Sequence, residues 1–196
     1  MNERARLFMW LGWIANFIGL VVLFTIRSLF PPFAVELGFT PRTTGLLVAA
    51  MPAAQLGVYW LLGSWNGWHY RLWPLATMQL VGAGGCLLAA FAHSPAVFAV
   101  GFVLAGFSIA MGFTSSLYYS VHGQKNKRRQ AGIHEAVGGA GAIVGPVVLG
   151  AAATAWHPRA PYGLCALLLV ALTIGQVVTI LVATRGASSK REKAGV

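Results

Sequence analysis

Six long apolar stretches constrain the fold of this chain more than any other feature of its sequence. Each is long enough to cross a hydrocarbon core of about 30 Å as an α-helix, which takes about 20 residues. Charged residues make up only 9% of the 196 residues, whereas soluble domains average about 25%. The sequence therefore predicts an all-α, polytopic membrane protein with six transmembrane helices. The predicted spans lie near residues 7–30, 44–63, 72–92, 96–121, 133–156 and 162–183.

The connections between these spans are too short to hold a second domain. Residues 1–186 are therefore predicted to form one transmembrane domain, followed by a polar C-terminal tail at residues 187–196. Short connections make successive helices antiparallel neighbours in a bundle. Pro31 and Pro32 are expected to end the first helix, because proline removes a backbone donor and clashes with the preceding turn.

The basic residues predict the orientation of the spans. Six antiparallel helices would place Arg42 and Arg159 on one side of the membrane and eleven Lys and Arg on the other. Cytoplasmic loops carry an excess of Lys and Arg, so we expect both termini in the cytoplasm, in a bacterial cytoplasmic (inner) membrane. Scattered basic residues at helix ends do not form a nucleic-acid surface. The eleven are Arg4, Arg6, Arg71, Lys125, Lys127, Arg128, Arg129, Arg185, Lys190, Arg191 and Lys193.

Residues that carry enzyme chemistry are scarce in this sequence. It contains no Asp, no nucleophile elbow, no phosphate-binding loop and no H-E-x-x-H zinc motif. Cys86 and Cys165 fall in apolar spans and lack the spacing of metal ligands. The sequence therefore predicts neither an enzyme nor a resident cofactor or metal ion.

The fifth span carries a glycine and proline pattern, Gly132, Gly141, Gly145, Pro146 and Gly150. Gly141 and Gly145 lie one turn apart on one helix face, where small residues let a neighbouring backbone approach closely. Pro146 removes a backbone donor and bends the helix. The pattern therefore predicts that this face is a helix–helix interface.

These five residues resemble the antiporter signature of the major facilitator superfamily, G-x8-G-x3-G-P-x2-G-G, with Leu149 in place of one glycine. The loop after the second span is similar to the family motif G-x-x-x-D-R-x-G-R-R and retains Gly63 and Arg71. Gly67 stands at its acidic position. The resemblance covers nearly the whole chain. Family members have two six-helix halves, so the resemblance implies that this chain corresponds to one half, with the 3+3 repeat, either as a half-size member or as one piece of a longer protein.

The resemblance implies transport of a small solute by alternating access. In the family, helices two and five of each half face the opposite half. The glycine face of the fifth helix is therefore expected to meet a second copy of the chain or a second half-transporter subunit. The alternative is a non-transporting structural or assembly subunit of a larger membrane complex.

Polar residues of the first and fourth spans are candidates for a substrate cavity, because the resemblance implies that these two helices line it. Asn16 and Arg27 share one face of the first span. An alternative for Arg27 is extension to the lipid headgroups, and an alternative for the hydroxyl groups is helix packing. The candidates in the fourth span are Ser108, Ser115, Tyr118 and Tyr119.

Three further residues are candidates for gating or proton coupling, namely Arg71, His134 and Glu135. Glu135 could pair with Arg71 on the same side of the membrane, and the adjacent His134 titrates near neutral pH. The alternative for Glu135 is a structural role, since a carboxylate in the first turn complements the helix dipole.

Overall fold

The computed structural model describes residues 3–122 and 124–193, with side chains as far as residue 185. This region is helical and has no β-strand, and six of its helices are long and apolar enough to cross a membrane. The predicted all-α architecture with six spans is confirmed. The helices are α1 (Glu3–Glu36), α2 (Pro41–Ser64), α3 (Leu72–Phe91), α4 (Pro95–Val121), α5 (Lys127–Ala155) and α6 (Ala160–Lys193).

The helices begin and end at residues suited to those positions. Thr40 caps α2 by accepting a hydrogen bond from the Thr43 amide at 3.2 Å. The expectation that Pro31 and Pro32 end α1 is wrong, because both lie inside the helix. The chain leaves α1 at Gly38, whose φ of 74° suits glycine. At the other terminus, α6 continues through residues 187–193 of the expected tail, and residues 194–196 lie outside the described residues.

Helices α1 and α4 form the centre of the bundle. Helix α4 packs against α1, α2 and α3, whereas α5 packs mainly on α1 and α6 mainly on α3. Small residues allow these close approaches: a Cβ atom on Gly12 would lie 3.0 Å from the Ser116 Cα, and one on Gly112 would lie 3.1 Å from the Ala15 carbonyl. Membrane helices associate by such packing, because lipid tails supply no hydrophobic drive between them.

Helices α2, α5 and α6 are the least enclosed of the six. Their most apolar windows are 28%, 22% and 28% buried, against 56% for α1 and for α4. Large apolar side chains such as Leu56, Trp60, Ile143 and Val147 are exposed on α2 and α5. These faces contact the lipid bilayer or another protein. We call the end of the bundle with the α2–α3 and α4–α5 loops the basic end, and the other the opposite end.

Candidate functional site

Three helices meet around a buried polar cluster formed by Asn16 of α1, Ser116 of α4 and His134 of α5. Each of the three residues is at most 1% exposed. The Ser116 hydroxyl lies 2.7 Å from the His134 Nδ1, and the Asn16 Nδ2 lies 3.4 Å from the same nitrogen. The Asn16 Nδ2 also donates to the His134 backbone carbonyl at 3.3 Å. The cluster therefore ties α1, α4 and α5 together inside the bundle.

Glycine makes this meeting possible. A Cβ atom on Gly138, one turn after His134, would lie 3.0 Å from the Asn16 Nδ2. Gly12 has a similar role and precedes Asn16 by a single turn, where α1 touches the backbone of Ser116. Because no side chain intervenes, the short Ser and Asn side chains reach the imidazole directly.

Several polar atoms at the cluster have no hydrogen-bond partner among the residues that the structure describes. They are the Asn16 Oδ1, the Ser115 Oγ and the His134 Nε2. Nε2 lies 3.7 Å from the Glu135 Oε1, and the Glu135 side chain is 73% exposed. Buried polar groups without partners are rare and costly, so this cluster stands out from the apolar packing around it.

The glycine pattern of α5 faces α1 of the same chain. A Cβ atom on Gly145 would lie 2.6 Å from the Val21 carbonyl oxygen, one on Gly141 would collide with the Phe17 carbonyl oxygen, and Gly150 approaches Leu29. The expectation that this face meets an opposite half is therefore wrong. The close approach was correctly anticipated, but the approaching backbone is α1. Gly132 has open space around it.

Pro146, which was predicted to bend the helix, lies where the helix type changes. Residues Gly145–Leu149 form a π-helical turn between the two α-helical segments of α5. Proline has no backbone N–H, and a π-turn is one way in which a helix absorbs that gap. The turn lies at the α1 contact, since Gly145 and Leu149 are the buried residues within it.

Arg27 lines a groove between α1 and α2 at the opposite end. The groove has a volume of about 890 Å³ and is walled mainly by apolar residues, including Phe39, Val48 and Pro52. Pro52 is the twelfth of the 24 residues of α2, so the groove reaches half the depth of that helix. The Arg27 guanidinium lies 5.8 Å from the Phe24 ring centroid. Among the described residues, no carboxylate lies within 4 Å of it.

The other cavity candidates do not line this groove. Asn16 and Arg27 share a helix but not a site, because Asn16 belongs to the polar cluster. Ser108 is 3% exposed and lies against Gly82 of α3, and Ser115 is buried beside the polar cluster. The structure thus places these two hydroxyl groups in helix packing.

Tyr118 and Tyr119 belong to an aromatic cluster at the basic end. The Tyr70 amide donates to the Tyr119 hydroxyl at 2.9 Å, and Tyr70 has a φ of 53°. The His69 ring stacks on Tyr118 at 4.1 Å. Burial, and to a smaller extent the charge of His122, lowers the pKa of His69. The aromatic cluster, which consists of Trp68, His69, Tyr70, Tyr118 and Tyr119, holds the α2–α3 loop on α4.

Arg71 and Glu135 are not brought together. Arg71 is exposed at the start of α3, and the ion-pair contact of Glu135 is with His134.

The sequence reasoning missed Ser116, whose hydroxyl group makes the shortest contact with the His134 ring. Gly112, Ser116 and Ser120 repeat every four residues, and this spacing was the available signal that they share the α1 side of α4.

Comparison with known proteins gives one finding. A search of the curated proteins found no match. The model of the family described as Major Facilitator Superfamily matches residues 10–195, nearly the whole chain. The match agrees with the six apolar helices and with a half-size unit of that family. The chain therefore belongs to the Major Facilitator Superfamily.

Proposed function

We propose that this chain transports a small solute by alternating access, as a half-size unit that pairs with itself or with a second half-transporter subunit. Family membership supports membrane transport and gives no support to an enzymatic role. It does not favour the alternative of a non-transporting assembly subunit.

The groove that contains Arg27 carries this proposal. Secondary transporters bind solutes near the middle of the membrane, at the interface between repeats. The groove reaches half the depth of α2, and the one charged side chain among its described lining residues is a cation. Charged residues inside transmembrane segments are costly and mark substrate pathways. Since Arg27 has no carboxylate partner among the described residues, the solute that fits best is an anion.

Pairing would use the open faces of α2 and α5. On α2, Ala53 and Gly57 are exposed one turn apart beside the groove, and on α5 Gly139 is exposed one turn before Ile143. A Cβ atom on Gly57 or Gly139 would meet nothing within 4 Å among the described residues. Such small-residue faces suit close packing between membrane helices. A second unit on these faces would enclose the groove between the two units.

The proposed orientation places the basic end in the cytoplasm of a bacterium. This end carries the α4–α5 loop with Lys125, Lys127, Arg128 and Arg129. The positive-inside rule then puts both termini in the cytoplasm and the mouth of the groove on the outer side.

The test is uptake into proteoliposomes of a panel of radiolabelled carboxylates, phosphate and phosphate esters. We expect at least one anion to accumulate above the level of protein-free liposomes. Arg27→Gln should reduce its uptake at least about tenfold, which corresponds to a loss of about 1.4 kcal/mol of binding. Arg42→Gln, an exposed arginine outside the groove, is the matched control and should transport normally. Uptake equal to that of empty liposomes for every solute would contradict the proposal.

A further inference from the structure

The hydrogen bonds of the polar cluster depend on where His134 carries its proton. The Asn16 Nδ2 donates to the His134 backbone carbonyl at 3.3 Å, and this bond fixes which way the amide points. The same Nδ2 lies 3.4 Å from the His134 Nδ1. An amide nitrogen is a donor only, so Nδ1 must accept. The neutral imidazole therefore carries its hydrogen on Nε2.

A second proton on this ring has to bind Nδ1, because Nε2 is already occupied. Ser116 tolerates that change, since its hydroxyl group can turn from donor to acceptor at the same 2.7 Å distance. Asn16 does not tolerate it. Its Nδ2 would face an N–H group, and rotation of the amide would set Oδ1 against the His134 carbonyl oxygen. Protonation therefore removes at least one hydrogen bond between α1 and α5.

The charge of a protonated His134 has one partner. Of the elements packed against the ring, α1 contributes Asn16, and α4 contributes Ser116 and the Phe113 ring at 4.9 Å. None of these is charged. Helix α5 itself supplies Glu135, whose Oε1 lies 3.7 Å from the His134 Nε2. Among the described residues, no other carboxylate lies within 4 Å of the His134 ring. An imidazolium can thus be held by Ser116 and Glu135 without Asn16.

We propose that His134 is a proton-binding site that sets the contact between α1 and α5. The neutral ring ties α5 to both α1 and α4, whereas the protonated ring ties α5 to α4 alone and has its charge balanced by Glu135 of the same helix. The inference rests on the proposed transport function for its purpose, because α1 also carries Arg27. Asn16 and Arg27 are eleven residues apart, about 16 Å along the helix. A proton at one level would then loosen the helix that holds the solute at the other.

The test measures the α1–α5 distance by electron paramagnetic resonance, with spin labels at Ile14→Cys and Ala136→Cys in nanodiscs. Both positions are exposed, and the native Cys86 and Cys165 are buried. We expect the distance distribution to shift to longer values as the pH falls from about 8.5 to about 4, a range that extends below that of an exposed histidine because the ring is buried. Nitrogen NMR of isotope-enriched wild-type protein that carries no spin label should show Nδ1 of His134 gaining its proton over the same range.

Two variants and one control make the result specific. His134→Gln and Asn16→Leu should each give a distribution that does not respond to pH, because one lacks the ionisable ring and the other lacks the amide. His93→Gln removes an exposed histidine at the opposite end and should keep the response. A shift that persists in His134→Gln, or a His134 ring that stays neutral throughout, would overturn the proposal.

The outcomes separate this site from the transport function. No solute is present in either measurement, so a pH-dependent distance in a protein that takes up no solute would keep the proton site and remove transport. An unresponsive His134 in a protein that does take up solute would remove the proton site alone.

Discussion

At the scale of single residues, Ser115 and Ser116 are neighbours in α4 with opposite surroundings. The Ser116 hydroxyl contacts His134 at 2.7 Å, whereas the buried Ser115 hydroxyl has no partner. We expect Ser116→Ala to destabilise the protein by about 1 kcal/mol, the net value of a typical hydrogen bond. Ser115→Ala should be neutral or stabilising, because it removes a buried polar group that nothing satisfies. Thermal unfolding in detergent measures both, and equal losses in the two variants would contradict the assigned contacts.

A second residue-scale prediction concerns His69, which lies between α2 and α3 outside the spans. Burial, followed by the charge of His122, lowers the pKa of His69 below its usual value of 6.5. Between the lowered folded pKa and 6.5, the unfolded chain binds more protons than the folded one. Stability therefore falls as the pH drops below about 6.5, and the loss is complete below the folded pKa.

The measurement is the melting temperature as a function of pH for the wild type and for His69→Gln. The wild type should lose more stability on acidification than the variant, which lacks this titrating ring. His93→Gln, at an exposed position, should follow the wild-type curve. If His69→Gln keeps the full pH dependence, the buried His69 ring is not the origin of the effect.

At the scale of helices, the α1–α5 contact depends on glycine. A Cβ atom on Gly141 would collide with the Phe17 carbonyl oxygen, and backbone cannot move aside as a flexible side chain can. We expect Gly141→Ala to cost about 1–3 kcal/mol, as overpacking does in tight interiors. Gly139→Ala, two residues earlier on the open face, is the matched control and should be neutral or slightly stabilising. Chemical or thermal unfolding distinguishes them, and tolerance of both variants would contradict the packing.

At the scale of the whole molecule, the sequence predicted the number of helices but not which faces meet. Length and hydropathy belong to each helix alone, so six apolar stretches were sufficient to predict six spans. The small-residue face of Gly141 and Gly145 correctly predicted a close backbone, yet it carries no information on whose backbone that is. Asn16 and His134 were singled out for separate roles. Their meeting at 3.4 Å depends on how three helices pack, which no single helix encodes.

The proposed pairing of two units can be tested with the same distinction between packed and open glycines. Gly139 on α5 and Gly175 on α6 both have nothing within 4 Å, but only α5 belongs to the face on which we expect a second unit. A leucine at Gly139 would hold the units apart, whereas a leucine at Gly175 would replace a glycine with a side chain that lipid accepts. Gly139→Leu should therefore weaken dimerisation at least about tenfold, or about 1.4 kcal/mol, and Gly175→Leu should leave it unchanged. Single-molecule photobleaching over a range of protein-to-lipid ratios gives both affinities. A monomeric wild-type protein that transports solute, or equal effects of the two variants, would show that the open face of α5 meets lipid and not a partner.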